Sequence, residues 1–390
     1  MDESDYLYLL KHFSKRFLFA QGNRRGYYLV NPQSNIGIIR LPSGNLLRIE
    51  PKVSIANVLY MISVASGPNF PLRAERVDFS DVNELYDFVV KHFFNLVNDR
   101  LTRGLYRSYV EREGNLGSVR GKILHASDVR QNHVLRHRTF CQYTEFSWDL
   151  PENRVIRQAV FVASQLVKDQ ELRRTLGFLD TRLGELDPSP LPLSVFGNFT
   201  YHRLNDDYEP IHILSRLILE GTSVSEELGE VGFRAFLIDM NRLFEKFVAE
   251  SLIQRMAAPF DIRDQHRDML DYDRRVSIQP DIVLTSEHQP ILVADCKYKR
   301  LDDGQFRHHD LYQMVSYCTA LDLARGALIY PRHESTLTGE VGIRHSGIRI
   351  RFFDVDLGVP HGELAGVMDR LADELIGWAN DDHIDLRKVS

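Results

Sequence analysis

Apolar residues recur along the chain at two spacings, which separate predicted strands from predicted helices. Short runs rich in apolar, aromatic or β-branched residues, divided by turn signals, predict strands at 17–19, 27–30 and 36–41. Because Pro42 to Asn45 carries turn residues between two such runs, a hairpin is expected there. Helices are expected next, over 56–64 and over 82–105, where apolar side chains follow the spacing of one helix face.

The middle of the chain changes to helical spacing and then to a proline-rich stretch. Asp149 followed by Pro151 predicts a helix start. The further helices are predicted over 151–186, 208–220 and 233–256. The segment DPSPLPLSVFGN, residues 187–198, carries three prolines and a glycine and is the best linker candidate. We therefore expect an N-terminal β-rich and helical module over 1–200 and a second domain over 201–390, in an α+β or α/β fold.

The segment 277–300 holds the most informative chemistry. Two apolar runs, 282–284 and 291–294, flank a polar turn and predict an antiparallel hairpin. With His288 as the midpoint of the turn, Asp281 lies seven residues before it and Asp295 seven after it. Positions equidistant from a turn face each other and share a sheet face, so the two carboxylates are expected to converge. A slip of one residue would separate them.

Strand alternation adds a lysine to this pair. Asp295 and Lys297 are two residues apart and are expected on one face, whereas Cys296 should point to the other. Two adjacent carboxylates repel each other unless a cation lies between them, and hard oxygen ligands suit Mg²⁺. Such an ion activates water for phosphodiester hydrolysis. A surface hairpin with an ordinary salt bridge is the alternative interpretation.

Composition excludes several classes of protein. The 390 residues are 43% hydrophobic and 26% charged, as in globular proteins, and the net charge of −6 gives no global basic signature. The basic segment 109–140 is therefore either a local phosphate-binding patch or a solvated or protein-binding face. Three separated cysteines, no secretory signal and no long apolar segment lead us to expect a cytoplasmic protein.

Several motifs resemble the McrC family, the nuclease subunit of the McrBC 5-methylcytosine restriction system, within the PD-(D/E)xK nuclease superfamily. The C-terminal motifs are LFEKFV (243–248), QPDIVL (279–284), LVADCKYK (292–299), DLYQMVSY (310–317) and ALIYP (327–331). The upstream motifs are LPSGNLLRIEPKV (41–53), RGLYRSYV (103–110), LGSVRGKI (116–123) and FSWDLPENRVIRQAV (146–160). The resemblance covers most of the chain from about residue 35 to 355. It implies that residues 201–390 form a restriction-endonuclease-like domain.

The resemblance also implies roles for single residues. Asp281, Asp295 and the backbone carbonyl of Cys296 would hold Mg²⁺, and Lys297 would be the catalytic lysine. Glu245 matches the first acidic position of the superfamily and would reach the metal or its waters; a solvent-facing helix charge is the alternative. Gln313 is placed among the catalytic residues; it shares a helix face with Tyr317, and the two would support the site or touch DNA, with plain helix packing as the alternative. Lys299 is either a phosphate contact or a solvated lysine. Cys296 departs from the alanine expected there.

The implied function is a Mg²⁺-dependent DNA endonuclease subunit that acts on methylated double-stranded DNA. The chain contains no G-x-x-x-x-G-K-[ST] motif, so the resemblance implies a separate McrB-type AAA+ GTPase, which the N-terminal module would dock on. Two alternatives stay open: an independent PD-(D/E)xK nuclease of DNA repair or a mobile element, and a non-catalytic activator of an AAA+ ring.

Overall fold

The computed structural model describes residues 2–22, 27–71, 81–134, 137–222, 235–298, 308–332 and 339–381. The chain divides into two compact units. The first combines Met1–Tyr86 with Ala235–Ser390, and the second is Asp87–Arg234. The predicted boundary near residue 200 does not coincide with this division, because the N-terminal strands pair with a strand that follows residue 234.

The N-terminal part of the first unit contains helices and strands in alternation. Its elements are α1 (Glu3–Phe13), β1 (Leu18–Gln21), β2 (Tyr28–Asn31), β3 (Asn35–Arg40), β4 (Leu46–Ile49) and α2 (Ile55–Ala65). The β3–β4 hairpin and the helix expected over 56–64 confirm the sequence prediction. Strands β1, β2 and β3 match the predicted runs, whereas helix α1 was not predicted; the Asp2 side chain caps this helix by accepting from the Asp5 N–H group.

A long-range pairing joins this part to the C-terminal half. Strand β8 (Ala235–Asp239) pairs antiparallel with β3, with Asn35 opposite Asp239 and Ile39 opposite Ala235. Helix α8 (Met240–Ile253) follows at once and is capped by the Asp239 carboxylate. The helix predicted over 233–256 is therefore wrong in its first turns, where the apolar run is a buried strand.

The second unit contains a small sheet and several helices. They are β5 (Ser108–Leu116), β6 (Lys122–Ile123), α4 (His125–Asn132), β7 (Thr139–Ser147), α5 (Pro151–Leu166), α6 (Gln170–Arg182) and α7 (Tyr208–Thr222), with α3 (Val82–Arg103) leading into it. The strand order is β5-β7-β6. The helices expected over 82–105, 151–186 and 208–220 are confirmed. The expected linker includes a 3₁₀ helix, Leu193–Asn198, and lies inside this unit.

A mixed six-stranded sheet forms the core of the C-terminal half. Its strands are β9 (Phe260–Asp264), β12 (Ile282–Ser286), β13 (Gln289–Cys296), β14 (Arg325–Pro331), β15 (Gly339–Gly342) and β16 (Arg349–Val355), in the order β15-β16-β14-β13-β12-β9. Strands β13, β14 and β16 are parallel, whereas β12 runs antiparallel to both of its neighbours, β9 and β13. A separate short hairpin, β10 (Asp268–Met269) and β11 (Ser277–Ile278), lies between β9 and β12 in sequence.

Helices pack against this sheet and bury its apolar residues. Helix α9 (His308–Ala320) buries Met314 and Cys318 in a cluster with Val283, Val293 and Leu328 of the sheet. Helix α10 (Leu364–Ala379) contacts β14, β16 and α8. The mixed α/β fold class is as predicted. Among the described residues, no helix combines the length and the apolar character that crossing a bilayer requires.

Candidate active site

The hairpin β12–β13 carries the predicted aspartates. Its turn consists of Glu287 and His288, which both have positive φ, at 49° and 67°. Two such residues make a turn of the I′ type, whose twist matches that of antiparallel strands. Ser286 pairs with Gln289, so the observed midpoint falls between Glu287 and His288, half a residue from the predicted midpoint.

A register shift in this hairpin decides where the aspartates lie. After Leu284 the pairing moves by one residue, so that Ile282 faces Ala294. This β-bulge places Asp281 opposite Asp295 when the register is continued by one residue. Without the bulge, Asp281 would oppose Ala294 and the two carboxylates would point to opposite faces. The two aspartates converge as predicted. Their convergence depends on the extra residue of the β-bulge, which the prediction from equal distances to the turn did not include.

The aspartates are buried and held by short-range contacts. Asp295 is 1% exposed and Asp281 9% exposed. The Cys296 backbone N–H donates to Oδ2 of Asp281 at 2.8 Å, and Nε2 of Gln265 donates to Oδ1 at 3.3 Å. The Lys297 Nζ lies 2.5 Å from Oδ2 of Asp295. No other described donor satisfies this buried oxygen.

The electrostatics of the site reflect crowded carboxylates in a buried place. Burial, followed by the neighbouring Asp281 charge, raises the pKa of Asp295 to about 7. Burial and Asp281 likewise raise the pKa of Glu245, on α8, to about 8. Burial alone would lower the pKa of Lys297, but the adjacent Asp295 carboxylate more than offsets this and the pKa is raised. The ammonium is therefore held in its charged form.

The donor set suits a hard divalent cation. Among the residues that the structure describes, no group of three His, Cys, Asp or Glu side chains is arranged to hold a metal ion. The carboxylates available to an ion are those of Asp281 and Asp295. Glu245 is close enough for their charges to raise its pKa. Mg²⁺ binds through one or two carboxylates and keeps several waters, so these residues fit it.

The backbone of Cys296 lies next to these carboxylates, because its N–H donates to Oδ2 of Asp281, and the strand register leaves the Cys296 carbonyl without one partner. The Gln265 N–H donates to the Asp281 carbonyl at 2.9 Å, so the backbone of Asp281 faces β9 and that of Pro280 faces β13. Continuing the register by two residues puts Pro280 opposite Cys296. Because proline has no N–H, Pro280 cannot donate to the Cys296 carbonyl.

Gln313 lies in a hydrogen-bonded chain that ends at Asp281. Its Nε2 donates to the Tyr317 hydroxyl at 2.6 Å, and this hydroxyl donates to the Gln279 carbonyl at 3.2 Å. The Gln279 side-chain amide in turn donates to Oε1 of Gln265 at 2.6 Å, next to the Asp281 contact. Gln313 therefore reaches the candidate site through neighbours, as a support for the segment before β12.

Sequence reasoning missed two polar residues of this site. Gln265 precedes the β10–β11 hairpin, and no local pattern marks it. Asp310 is 2% exposed, accepts a hydrogen bond from the Tyr330 hydroxyl at 2.9 Å and contributes to the raised pKa of Lys297. Its spacing of three residues from Gln313 and seven from Tyr317 puts all three on one helix face, and this signal could have found it.

Other predicted residues lie elsewhere. Lys299 falls outside the described residues. In the basic segment 109–140, Arg112 forms ion pairs with Glu145 at 3.2 Å and Asp149 at 3.3 Å. The Arg120 guanidinium stacks over the Tyr143 ring. Part of this basic segment is therefore compensated by its own unit.

The fold and these side chains define a class of protein. A mixed α/β fold whose C-terminal sheet carries two aspartates and a lysine at the open end of one hairpin is the McrC-like fold class that the sequence predicts. A family model described as McrBC 5-methylcytosine restriction system component matches residues 30–331. The chain belongs to this family, which confirms the resemblance.

Two known proteins show how far the similarity extends. The type IV methyl-directed restriction enzyme EcoKMcrBC of Escherichia coli (strain K12) is 22% identical over 353 compared residues, and the match covers 82% of this chain and 98% of that protein. A solved half-complex from a tetradecameric assembly of Thermococcus gammatolerans McrB AAA+ hexamers with bound McrC matches with a TM-score of 0.58 and 19% identity. The match covers 96% of this chain and 89% of that one, and it supports the fold.

Proposed function

We propose that this chain is the nuclease subunit of a McrBC-type restriction system, a Mg²⁺-dependent endonuclease that hydrolyses phosphodiester bonds of methylated double-stranded DNA. One observation carries the proposal. Asp281, Asp295 and Lys297 meet at one strand end, with Lys297 Nζ 2.5 Å from Asp295 Oδ2. Family membership supplies the biological setting.

The carboxylates and a backbone oxygen form the proposed metal site. Asp281, Asp295 and the Cys296 carbonyl would hold the ion directly, and Glu245 would act through its waters. When bound, Mg²⁺ polarises the scissile phosphate and lowers the pKa of a coordinated water. The pKa values of Asp295 and Glu245, about 7 and about 8, indicate carboxylates that gain from a neighbouring cation.

Lys297 has a separate task in this proposal. Because the Asp295 carboxylate raises the pKa of Lys297, the amine stays protonated at neutral pH and is a poor general base. A charged ammonium instead donates hydrogen bonds to the phosphate oxygens and stabilises the negative charge that develops during hydrolysis. The raised pKa of Lys297 thus supports electrostatic stabilisation, rather than proton abstraction, as its proposed role.

The proposed partner is a McrB-type AAA+ GTPase. The similar Thermococcus gammatolerans assembly is described as McrB AAA+ hexamers with bound McrC, and we extend this partnership to the present chain. The N-terminal module remains the proposed docking region. GTP hydrolysis by the partner would then drive cleavage by the site described above.

A cleavage assay with partner, GTP and Mg²⁺ on methylated and unmethylated DNA tests the proposal. We expect Asp281→Ala, Asp295→Ala and Lys297→Ala to lose cleavage while partner binding is kept. Arg332→Ala is a matched control, since Arg332 forms its ion pairs with Asp354 and Asp356. Undiminished cleavage by all three variants would refute the assignment. Robust cutting without GTP would instead favour an independent nuclease, and partner activation without any cutting would favour the non-catalytic activator.

A further inference from the structure

The β10–β11 hairpin lies beside the candidate site and has a cleft of its own. Asp268 pairs with Ile278 and Met269 with Ser277 in a short antiparallel ladder. The cleft has a volume of about 390 Å³. Its lining consists of Arg267, Asp268, Met269, Arg274, Ser277, Ile278 and Gln279.

Two arginines in this lining have no acidic partner among the described residues. The acids of the hairpin are otherwise engaged. Arg275 forms ion pairs with Asp273 and, at 3.7 Å, with Asp271. The third acid, Asp268, lies 3.8 Å from Nε2 of His266 and accepts a hydrogen bond from the Met269 N–H.

The guanidinium groups of Arg267 and Arg274 are therefore uncompensated at the cleft. Both residues are exposed, and the described part of the chain provides neither with an ion pair. Arginine's planar fork of N–H donors matches the oxygens of a phosphate group. Two such groups around one cleft favour an anionic ligand, even with the Asp268 carboxylate in the same lining.

The cleft is physically connected to the candidate site. Gln279 lines the cleft and donates to Gln265 at 2.6 Å, and Gln265 donates to Asp281 at 3.3 Å. Ile278 anchors the hairpin in the apolar cluster that also contains Tyr317. Two hydrogen bonds, from Gln279 to Gln265 and from Gln265 to Asp281, thus connect the lining of the cleft to the aspartates.

We infer that Arg267 and Arg274 each bind a backbone phosphate of the DNA, next to the phosphodiester that is cut. This inference rests on the proposed nuclease function and names the substrate contacts of the same site. Each phosphate contact releases condensed counterions, so binding weakens as salt rises. The two arginines set the position of the duplex and carry no base specificity.

The test is the salt dependence of DNA binding by the full chain. A short labelled duplex is titrated in Ca²⁺, without Mg²⁺, over a series of salt concentrations and followed by fluorescence anisotropy. We expect Arg267→Gln and Arg274→Gln each to reduce the slope of log K against log salt by about 0.9, and the double variant by roughly twice that. Lysine substitutions at both positions should keep most of the slope.

Arg275→Gln is the matched control, because its guanidinium is already neutralised by Asp271 and Asp273, and its slope should equal that of the parent. A double variant with the parental slope, or a parent without salt-dependent binding, would overturn the inference. The proposed function is judged separately, by cleavage with Asp295→Asn. A reduced slope together with normal cleavage by Asp295→Asn would reject the nuclease assignment and leave the DNA-binding cleft standing.

Discussion

Two neighbouring hairpins of the C-terminal half differ in the sign, the burial and the pairing of their charged side chains. The β12–β13 hairpin lies inside the sheet, and at its open end Asp281 and Asp295 are buried while the half-buried Lys297 pairs with Asp295. The β10–β11 hairpin is exposed, and Arg267 and Arg274 lie uncompensated at its cleft. Buried carboxylates gain strongly from a cation, whereas exposed guanidinium groups attract anions with little desolvation cost. In the function proposed above, the first hairpin carries the chemistry and the second positions the substrate.

The largest effect on cleavage is expected when a buried carboxylate of the β12–β13 hairpin is removed. Asp295→Asn should lower cleavage by at least about 10³-fold, because a ligand of the proposed metal and the partner of Lys297 are both lost. The same change should stabilise the metal-free protein at pH 8, since it removes a buried charge that burial and Asp281 disfavour. Cleavage rates and thermal unfolding in a chelator measure the two effects. A variant that is inactive only because it is unfolded would contradict this prediction.

A second prediction separates the charge of Lys297 from its shape. Lys297→Met should reduce cleavage by roughly 10²-fold, whereas Lys297→Arg should keep a larger part of the activity because it keeps the positive charge. Single-turnover cleavage at saturating DNA provides the rates. If a lysine base were required, the arginine variant would be as inactive as the methionine variant.

A third prediction concerns the link between the two hairpins. Gln265→Ala removes the side-chain donor to Asp281 and the acceptor of Gln279, and should reduce cleavage by roughly 10- to 100-fold. Affinity for Mg²⁺ should fall with it, while the salt slope of DNA binding stays at the parental value. Gln254→Ala, at the end of α8, serves as a matched glutamine control. Unchanged metal affinity in Gln265→Ala would remove this residue from the site.

The fourth prediction is a pH dependence of stability. The pKa of Glu245 is raised in the folded protein to about 8 from an ordinary value of 4.5, so the folded state binds more protons than the unfolded state between these values. Without divalent ions, the free energy of unfolding should therefore fall as pH rises from about 4.5 to about 8. Glu245→Gln should flatten this decline, and added Mg²⁺ should oppose it. Denaturant unfolding at several pH values checks the sign; an identical decline in Glu245→Gln would contradict the prediction.

The smallest expected effect is on the exposed hairpin. Arg274 has a φ of 58°, in the left-handed region that glycine occupies readily. Arg274→Gly should change the free energy of unfolding by roughly 1 kcal/mol or less, in the stabilising direction, while weakening DNA binding. Arg274→Ala keeps the strained backbone and should lose binding without the gain in stability. A loss of stability in the glycine variant would show that the arginine side chain supports the hairpin itself.

The sequence could predict features that depend on local spacing. The convergence of Asp281 and Asp295 followed from equal distances to a turn, and Pro151 marked the start of α5. The predicted register of the β12–β13 hairpin agreed with the structure only because two irregularities cancel. The turn lies half a residue from the predicted midpoint, and a β-bulge shifts the pairing back. The number of residues between Asp281 and Asp295 reflects only the sum of these two irregularities, so it reveals neither of them alone.

Features that depend on distant parts of the chain were out of reach. The pairing of β3 with β8 joins residues some 200 positions apart, so composition near residue 200 could not reveal which segments share a sheet. The apolar run Ala235 to Ile238 fits a buried strand and a helix equally well until its pairing partner is known. Gln265 reaches Asp281 only because β9 lies next to β12.

Binding of Mn²⁺, measured by electron paramagnetic resonance on the full chain without DNA or partner, decides whether Asp281 and Asp295 share a divalent ion. We expect one class of bound ion in the parent, a loss of that binding in Asp281→Asn and in Asp295→Asn, and its retention in Arg332→Ala. Equal binding in the parent and in both aspartate variants would contradict a shared divalent-ion site at the end of the β12–β13 hairpin.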